Sequence, residues 1–170
     1  MNLKLRALEP SDLDLLYNVE NDKSLWVYSN TKSPFSKHIL SKFIQNSHFD
    51  ITEHKQLRLV ICDEYTSYGY IDFFDYDLVN RRVGLGIIIF KEYRSKGLGT
   101  ISLSLAEDYL INFVPIHQIY ANISSENFES VALFEKNGFK LIGLKKDWIY
   151  FNNEFKDELQ YQKILTKWSL

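Results

Sequence analysis

Val83 to Phe90 reads Val-Gly-Leu-Gly-Ile-Ile-Ile-Phe, an almost continuous apolar run. Such a run suits a strand covered on both faces, which limits the chain to a sheet buried between other layers. Lys91-Glu92-Tyr93-Arg94-Ser95-Lys96-Gly97-Leu98-Gly99-Thr100 follows at once. A helix is then expected over Gly97–Phe113, with Leu103, Ala106, Tyr109, Leu110 and Phe113 on its inner face. Two glycines allow the backbone of the turn to curl tightly, so that successive N–H groups converge on one anion. The positive end of the helix dipole adds to this, and Arg94 and Lys96 bring charge nearby. These residues suit a pyrophosphate cradle. They also suit a helix start whose glycines merely permit close packing. The dinucleotide fingerprint is missing, because no third glycine follows at the required place. A nucleoside-triphosphate loop would need Gly-Lys-Ser or Gly-Lys-Thr, which is missing too.

The rest of the chain supplies a sheet and its covering helices. Leu3, Leu5 and Ala7 alternate with charges, as a strand would. Ser11 with Asp14 resembles a capping box opening a helix that carries Leu13, Leu16, Tyr17 and Glu20. Trp26 to Phe35 reads as an irregular loop. Ser36 caps a second helix with Ile39, Leu40, Phe43 and Ile44 as its stripe. Ser47 to Lys55 reads as a polar loop. Gln56–Cys62 and Tyr68–Tyr76 form a hairpin, Gln118–Ile123 a strand, and Glu129–Lys136 a short helix closed by Asn137-Gly138. Phe139–Leu144, Trp148–Phe151 and Phe155–Leu165 are late strands, with Asn152-Asn153 as a turn.

The 170 residues fit one domain, 1–170, with a core that needs no disulfide or structural metal. A net charge of -2, with no basic run beyond pairs such as Arg81-Arg82 and Lys145-Lys146, argues against nucleic acid as a partner. No run is long enough to span a bilayer, and the N-terminus alternates apolar with charged residues, unlike a secretory signal. No membrane partner and a cytoplasmic location are therefore expected. The single cysteine, Cys62, reads as a small buried hydrophobe on a strand. His38, His48, His54 and His117 lack metal-ligand spacing, so no metal is expected.

Three further segments join the turn in a family pattern. Arg94-x-x-Gly97-x-Gly99 resembles the acyl-CoA signature of GNAT N-acetyltransferases. Asn127-Phe128-Glu129-Ser130-Val131-Ala132-Leu133-Phe134-Glu135-Lys136-Asn137-Gly138-Phe139 resembles a segment of that family's ribosomal-protein and polyamine acetyltransferase branches. Leu5-Arg6-Ala7-Leu8-Glu9-Pro10-Ser11-Asp12 resembles their opening, and Asn80-Arg81-Arg82 fits ahead of the central strand. The resemblance implies an α+β (mixed α/β) fold. Its central sheet is mostly antiparallel, has a V-shaped splay between two parallel strands, and is flanked by helices.

The resemblance also implies roles. The backbone of Ile87, Ile88 and Ile89 would pair with the pantetheine arm of acetyl-CoA, the cosubstrate. Amides of Arg94, Ser95, Lys96, Gly97, Leu98, Gly99 and Thr100 would hold its pyrophosphate. Asn127, Ser130 and Phe134 would lie along the arm. An amine would attack the thioester directly, and a backbone N–H in the splay would polarise its carbonyl. Two departures stand out. Phe134 occupies the place of a tyrosine acid in polyamine enzymes, and Gly84 that of a strand glutamate. Ser130 and Asp75 are then the candidates for proton transfer.

Glu20, Trp26, Tyr28, Asn30, Asp72 and Asp75 are the candidate acceptor residues, since carboxylates and aromatic rings receive cations. Trp26 and Tyr28 suit helix packing equally well, and Glu20 a solvated helix face. Asp72 and Asp75, an odd number of positions apart, are expected on opposite faces of their strand. Trp148 and Tyr150 read as core strand residues first, although the resemblance implies that the late hairpin can border the cleft. The activity expected is acetyl transfer to a primary amine, a polyamine or diamine first and a peptide N-terminus second. A non-catalytic acetyl-CoA sensor is the alternative that the two departures motivate. A homodimer through the late strands is a further implication of the resemblance.

Overall fold

The structure is a computed structural model that describes residues 2–29, 31–47 and 50–165. Asn30 and His48 lie outside the described residues. Seven strands form one sheet: β1 (Lys4–Ala7), β2 (Leu57–Cys62), β3 (Ser67–Asp77), β4 (Arg82–Ile89), β5 (Gln118–Ser124), β6 (Lys140–Phe151) and β7 (Glu154–Ile164). Their spatial order is β1-β2-β3-β4-β5-β7-β6. All neighbours run antiparallel except β4 and β5. That parallel ladder contains only Arg82↔Gln118, Val83↔Ile119 and Gly84↔Tyr120. Beyond Gly84 the two strands part, so the expected V-shaped splay is present.

Helices cover both faces, as the apolar run of β4 requires. α1 (Leu13–Glu20) and α3 (Lys37–Asn46) bury Leu16, Leu40 and Ile44 against Val60, Tyr70 and Phe90. α5 (Leu98–Phe113) and α6 (Phe128–Lys136) cover the other face, where Leu103, Ala106, Leu110 and Phe134 pack with Phe73, Leu85, Ile119 and Ile123. Ser36 caps α3 as expected, accepting from the Ile39 N–H at 3.3 Å. Asn152 and Asn153 adopt φ of 50° and 62°, the left-handed pair of a tight hairpin turn.

Four local expectations fail for physical reasons. The cap before α1 is not Ser11 with Asp14 but Glu9 with Asp12, because Asp12 is pulled inward by a two-point ion pair with Arg6. Trp26–Ser29 is a short helix, α2, where a loop was expected. Ile51–His54, inside a segment too polar to suggest one, is another (α4), capped by Asp50 and anchored by buried Ile51. The expected breaks at Lys145–Asp147 do not interrupt β6. A bulge with Asp147 at φ 52° absorbs them, tied by the Asp147 N–H to Asp157 at 2.9 Å.

Candidate active site

The splay opens into a cleft of about 1300 Å³ that reaches both faces of the sheet. At one end lies the glycine-rich turn. Ser95 and Gly97 both have left-handed φ, 59° and 77°, so the chain curls twice before α5 begins at Leu98. Nothing lies within 4 Å of where a Gly97 side chain would start, so the turn is open on that side. The first amides of α5 have no partners within the helix and point the same way. The two readings of the glycines divide between them. Gly97 serves conformation, whereas Gly99 serves packing, since a Cβ there would press on Leu133 of α6 at 3.0 Å.

The carriers of charge at the turn behave differently. Arg94 borders the cleft and donates from Nε to the Ile89 carbonyl at 3.0 Å, fixing the end of β4. Lys96 donates to the Glu92 carbonyl at 2.9 Å, lies over the Tyr93 ring, and is not among the cleft-lining residues. Ser95, Leu98, Thr100 and the strand segment Ile87, Ile88 and Ile89 line the cleft. So does Ser130, from the first turn of α6. Asn127 caps α6, its side-chain oxygen accepting from the Ser130 N–H at 3.2 Å, and it is not among the cleft-lining residues. Phe134 is 2% exposed, packs edge-on against Phe139 at 4.8 Å, and does not line the cleft. Its place along the cofactor arm is therefore corrected: α6 turns it into the core with Leu103 and Ile123.

At the other end, β2, β3 and β4 present one row across the sheet: Arg58, Asp72 and Gly86. Arg58 grips Asp72 at two points, Nε–Oδ1 at 2.5 Å and Nη2–Oδ2 at 2.9 Å, and its Nη1 donates to Glu20 Oε1. The rings of Phe43 and Tyr70 flank the guanidinium at 5.6 and 5.3 Å. Burial alone would lower its pKa, but Asp72 and Glu20 outweigh burial and hold it above the ordinary value. Glu20 and Asp72 thus line the cleft as expected, but as members of a triad with net charge near minus one. Tyr28 lines it as well. Trp26 does not, because its indole donates to the Glu20 carbonyl at 2.9 Å.

Asp75 corrects the alternation argument. Its φ is 51° and the β3–β4 register shifts between Phe74 and Asp77. This bulge turns Asp75 toward the cleft that Asp72 also lines. Asp75 neighbours the Tyr120 hydroxyl, and burial together with this carboxylate raises Tyr120 above the ordinary phenol range. Phe74 explains Gly84. A Cβ at position 84 would fall inside the Phe74 ring, which stands edge-on to Tyr120 at 5.9 Å. The volume of a strand glutamate is filled by two aromatic rings. Gly84→Glu is therefore expected to destabilise the chain by about 2 kcal/mol through overpacking. Phe74→Ala in the same chain should recover part of the loss, as read by urea unfolding.

The far wall was read in the sequence mainly as core. Trp148 is 62% exposed and lines the cleft, contrary to its reading as core, because β6 is an edge strand with a bulge beside it. Tyr150 is also exposed. Glu158 and Lys145 form an ion pair in this wall at 2.8 Å. Arg58 carried a signal that could have found it, being a charge between the apolar strand residues Leu57 and Leu59, whereas Glu158 stands between Asp157 and Leu159 and carried none. Among the described residues no cluster of His, Cys, Asp and Glu could hold a metal.

An anion cradle at a helix start, joined by a splayed parallel pair to a carboxylate-lined pocket, is the working layout of an acyl-CoA-dependent transferase. Residues 2–140 match the family model for the acetyltransferase (GNAT) domain, and the chain belongs to that family. It is an acetyl-CoA-dependent N-acetyltransferase. It is 25% identical over 159 residues to spermidine N(1)-acetyltransferase of Escherichia coli strain K12, covering 94% of this chain and 84% of that one. It is 27% identical over 156 residues to the Vibrio cholerae serotype O1 enzyme of the same name, covering 91% and 88%. The solved Vibrio cholerae spermidine N-acetyltransferase in complex with CoA and spermine superposes with a TM-score of 0.88, at 25% identity over 97% of this chain and 96% of that one.

Proposed function

We propose that this chain moves the acetyl group of acetyl-CoA to a primary amine of a polyamine or diamine. The observation that carries the reading is the charge of the cleft. Its lining holds Glu20, Asp72, Asp75, Glu126, Glu129 and Glu158 against Arg58, Arg94 and Lys145. The excess of carboxylate suits a multiply charged cationic acceptor.

In this reading the turn from Arg94 to Thr100 binds the pyrophosphate, and Ile87 to Ile89 hold the arm by their backbone. Ser130 contacts it from α6. The acceptor reaches the thioester over Gly86, whose missing side chain leaves the strand surface open beside Asp72. Only the neutral amine attacks. Asp75 takes its proton, directly or through a water, and Tyr120 orients Asp75. The tetrahedral intermediate collapses with loss of the CoA thiolate, which is protonated from solvent, since a thiol is a tolerable leaving group near neutral pH. Asp75→Asn is then expected to lower kcat/KM about a hundredfold, as read by thiol release from acetyl-CoA.

A cytoplasmic compartment belongs to the same reading, and among the described residues no helix is long and apolar enough to cross a membrane. Self-association through β6 also belongs to it, because that edge strand exposes Leu141, Ile142 and Leu144. Thiol release from acetyl-CoA, followed with polyamines, amino acids and a peptide bearing a free N-terminus, tests the substrate class. Polyamines should give the highest kcat/KM. A peptide or amino acid exceeding them would overturn the choice of acceptor.

A further inference from the structure

Lys145 is an alkylammonium held in the wall of the cleft. Its Nζ lies 2.8 Å from Glu158 Oε1 and 5.0 Å from the centre of the Trp148 ring. Glu158 is only 6% exposed, and Lys145 is its ion-pair partner among the described residues. The Lys145 side chain keeps 30% exposure and Trp148 is open, so the place where the ammonium sits is reachable from the cleft. A buried carboxylate below and an indole face beside it are what a primary ammonium on a methylene chain needs.

The position in the sheet matters as much as the chemistry. The parallel ladder ends at Gly84↔Tyr120. Ser124 lies further along β5, on the parted stretch, and is the register partner of Glu158. Glu158 in turn pairs with Lys145. The cage therefore stands on the wall across the gap from β4, opposite the Glu20–Arg58–Asp72 triad. The bulge after Lys145, stabilised by Asp157, sets Trp148 over the lysine.

We propose that Glu158 and Trp148 form a second ammonium subsite of the acceptor cleft, with Lys145 as its resident cation. The proposal rests on the amine-acceptor reading above and deepens it. With Lys145 in place, the subsite repels the distal ammonium of a long acceptor. An acceptor gains from Glu158 only by displacing Lys145, so the lysine sets how far along a polyamine the cleft reads. The side chain resembles the end of the substrate that it excludes.

The test uses Lys145→Met, which keeps an unbranched apolar side chain of similar length beside Trp148 and removes the charge. It also uses Lys145→Met with Glu158→Gln, which removes the buried charge left behind and so protects folding. Butylamine, putrescine and spermidine are the probes. Lys145→Met should lower KM for spermidine about tenfold and leave butylamine unchanged, the worth of one charge-assisted contact. The double variant should lose that gain. An equal change for all three amines, or none, would overturn the subsite. Spermidine-induced shifts in Tm, measured without acetyl-CoA, separate this from the parent reading. A larger shift in Lys145→Met than in the unaltered chain supports the subsite even where another amine proves the better acceptor. Equal shifts overturn it even where spermidine is turned over.

Discussion

Arg58→Met lowers the stability of the chain by about 3 kcal/mol, the expected result of stranding two partly buried carboxylates. Arg58, Glu20 and Asp72 have side chains only 16, 15 and 27% exposed. The guanidinium is the group that both acids share, and it ties the end of α1 to the hairpin of β2 and β3. Without it Glu20 and Asp72 face each other uncompensated in a poorly solvated place. Glu20→Gln and Asp72→Asn added to Arg58→Met should return most of the loss, as measured by urea unfolding. A loss that those two changes leave in place would mean that lost packing against Phe43 and Tyr70, not charge, dominates.

Gly97→Val is expected to raise KM for acetyl-CoA at least about tenfold, with a smaller change in KM for the amine. Position 97 has φ of 77°, and a β-branched residue there costs roughly 1–2 kcal/mol or moves the turn. Either outcome spoils the convergence of N–H groups on the pyrophosphate. Gly97→Asn separates conformation from bulk, because asparagine enters the left-handed region far more readily. It should lose much less affinity than valine. Equal losses would place the role of Gly97 in open space rather than in backbone shape.

The fold was legible where one local signal governed the outcome. The apolar run of β4, the Ser36 cap and the Asn152-Asn153 turn each led to the observed element. The glycine-rich turn was legible for the same reason, since the left-handed φ of Gly97 is a conformation that glycine advertises. The acceptor half was less legible. Its chemistry depends on which charges meet across strands, and a period-two pattern says nothing of that. Asp72 and Glu20 were visible as acids, but the guanidinium that occupies them sits on a strand read only as apolar. Asp72 and Asp75 both line the cleft, although strict alternation set them apart, because a bulge adds a residue that alternation does not count. Phe134 and Trp148 exchanged expectations: the one suggested for the site is core, and the one suggested for core lines the cleft. Burial on an edge strand depends on what lies beyond it, which no local window contains.

In the proposed function the cradle at Arg94–Thr100 and the carboxylate-lined face of the splay serve one reaction. The direct measurement mixes the protein with acetyl-CoA and spermidine, identifies the products by mass spectrometry, and counts the CoA released. Monoacetylated spermidine and free CoA are expected in equal amounts, with formation suppressed in Gly97→Val at low acetyl-CoA. CoA release that does not depend on spermidine, with no acetylated polyamine formed, would contradict it.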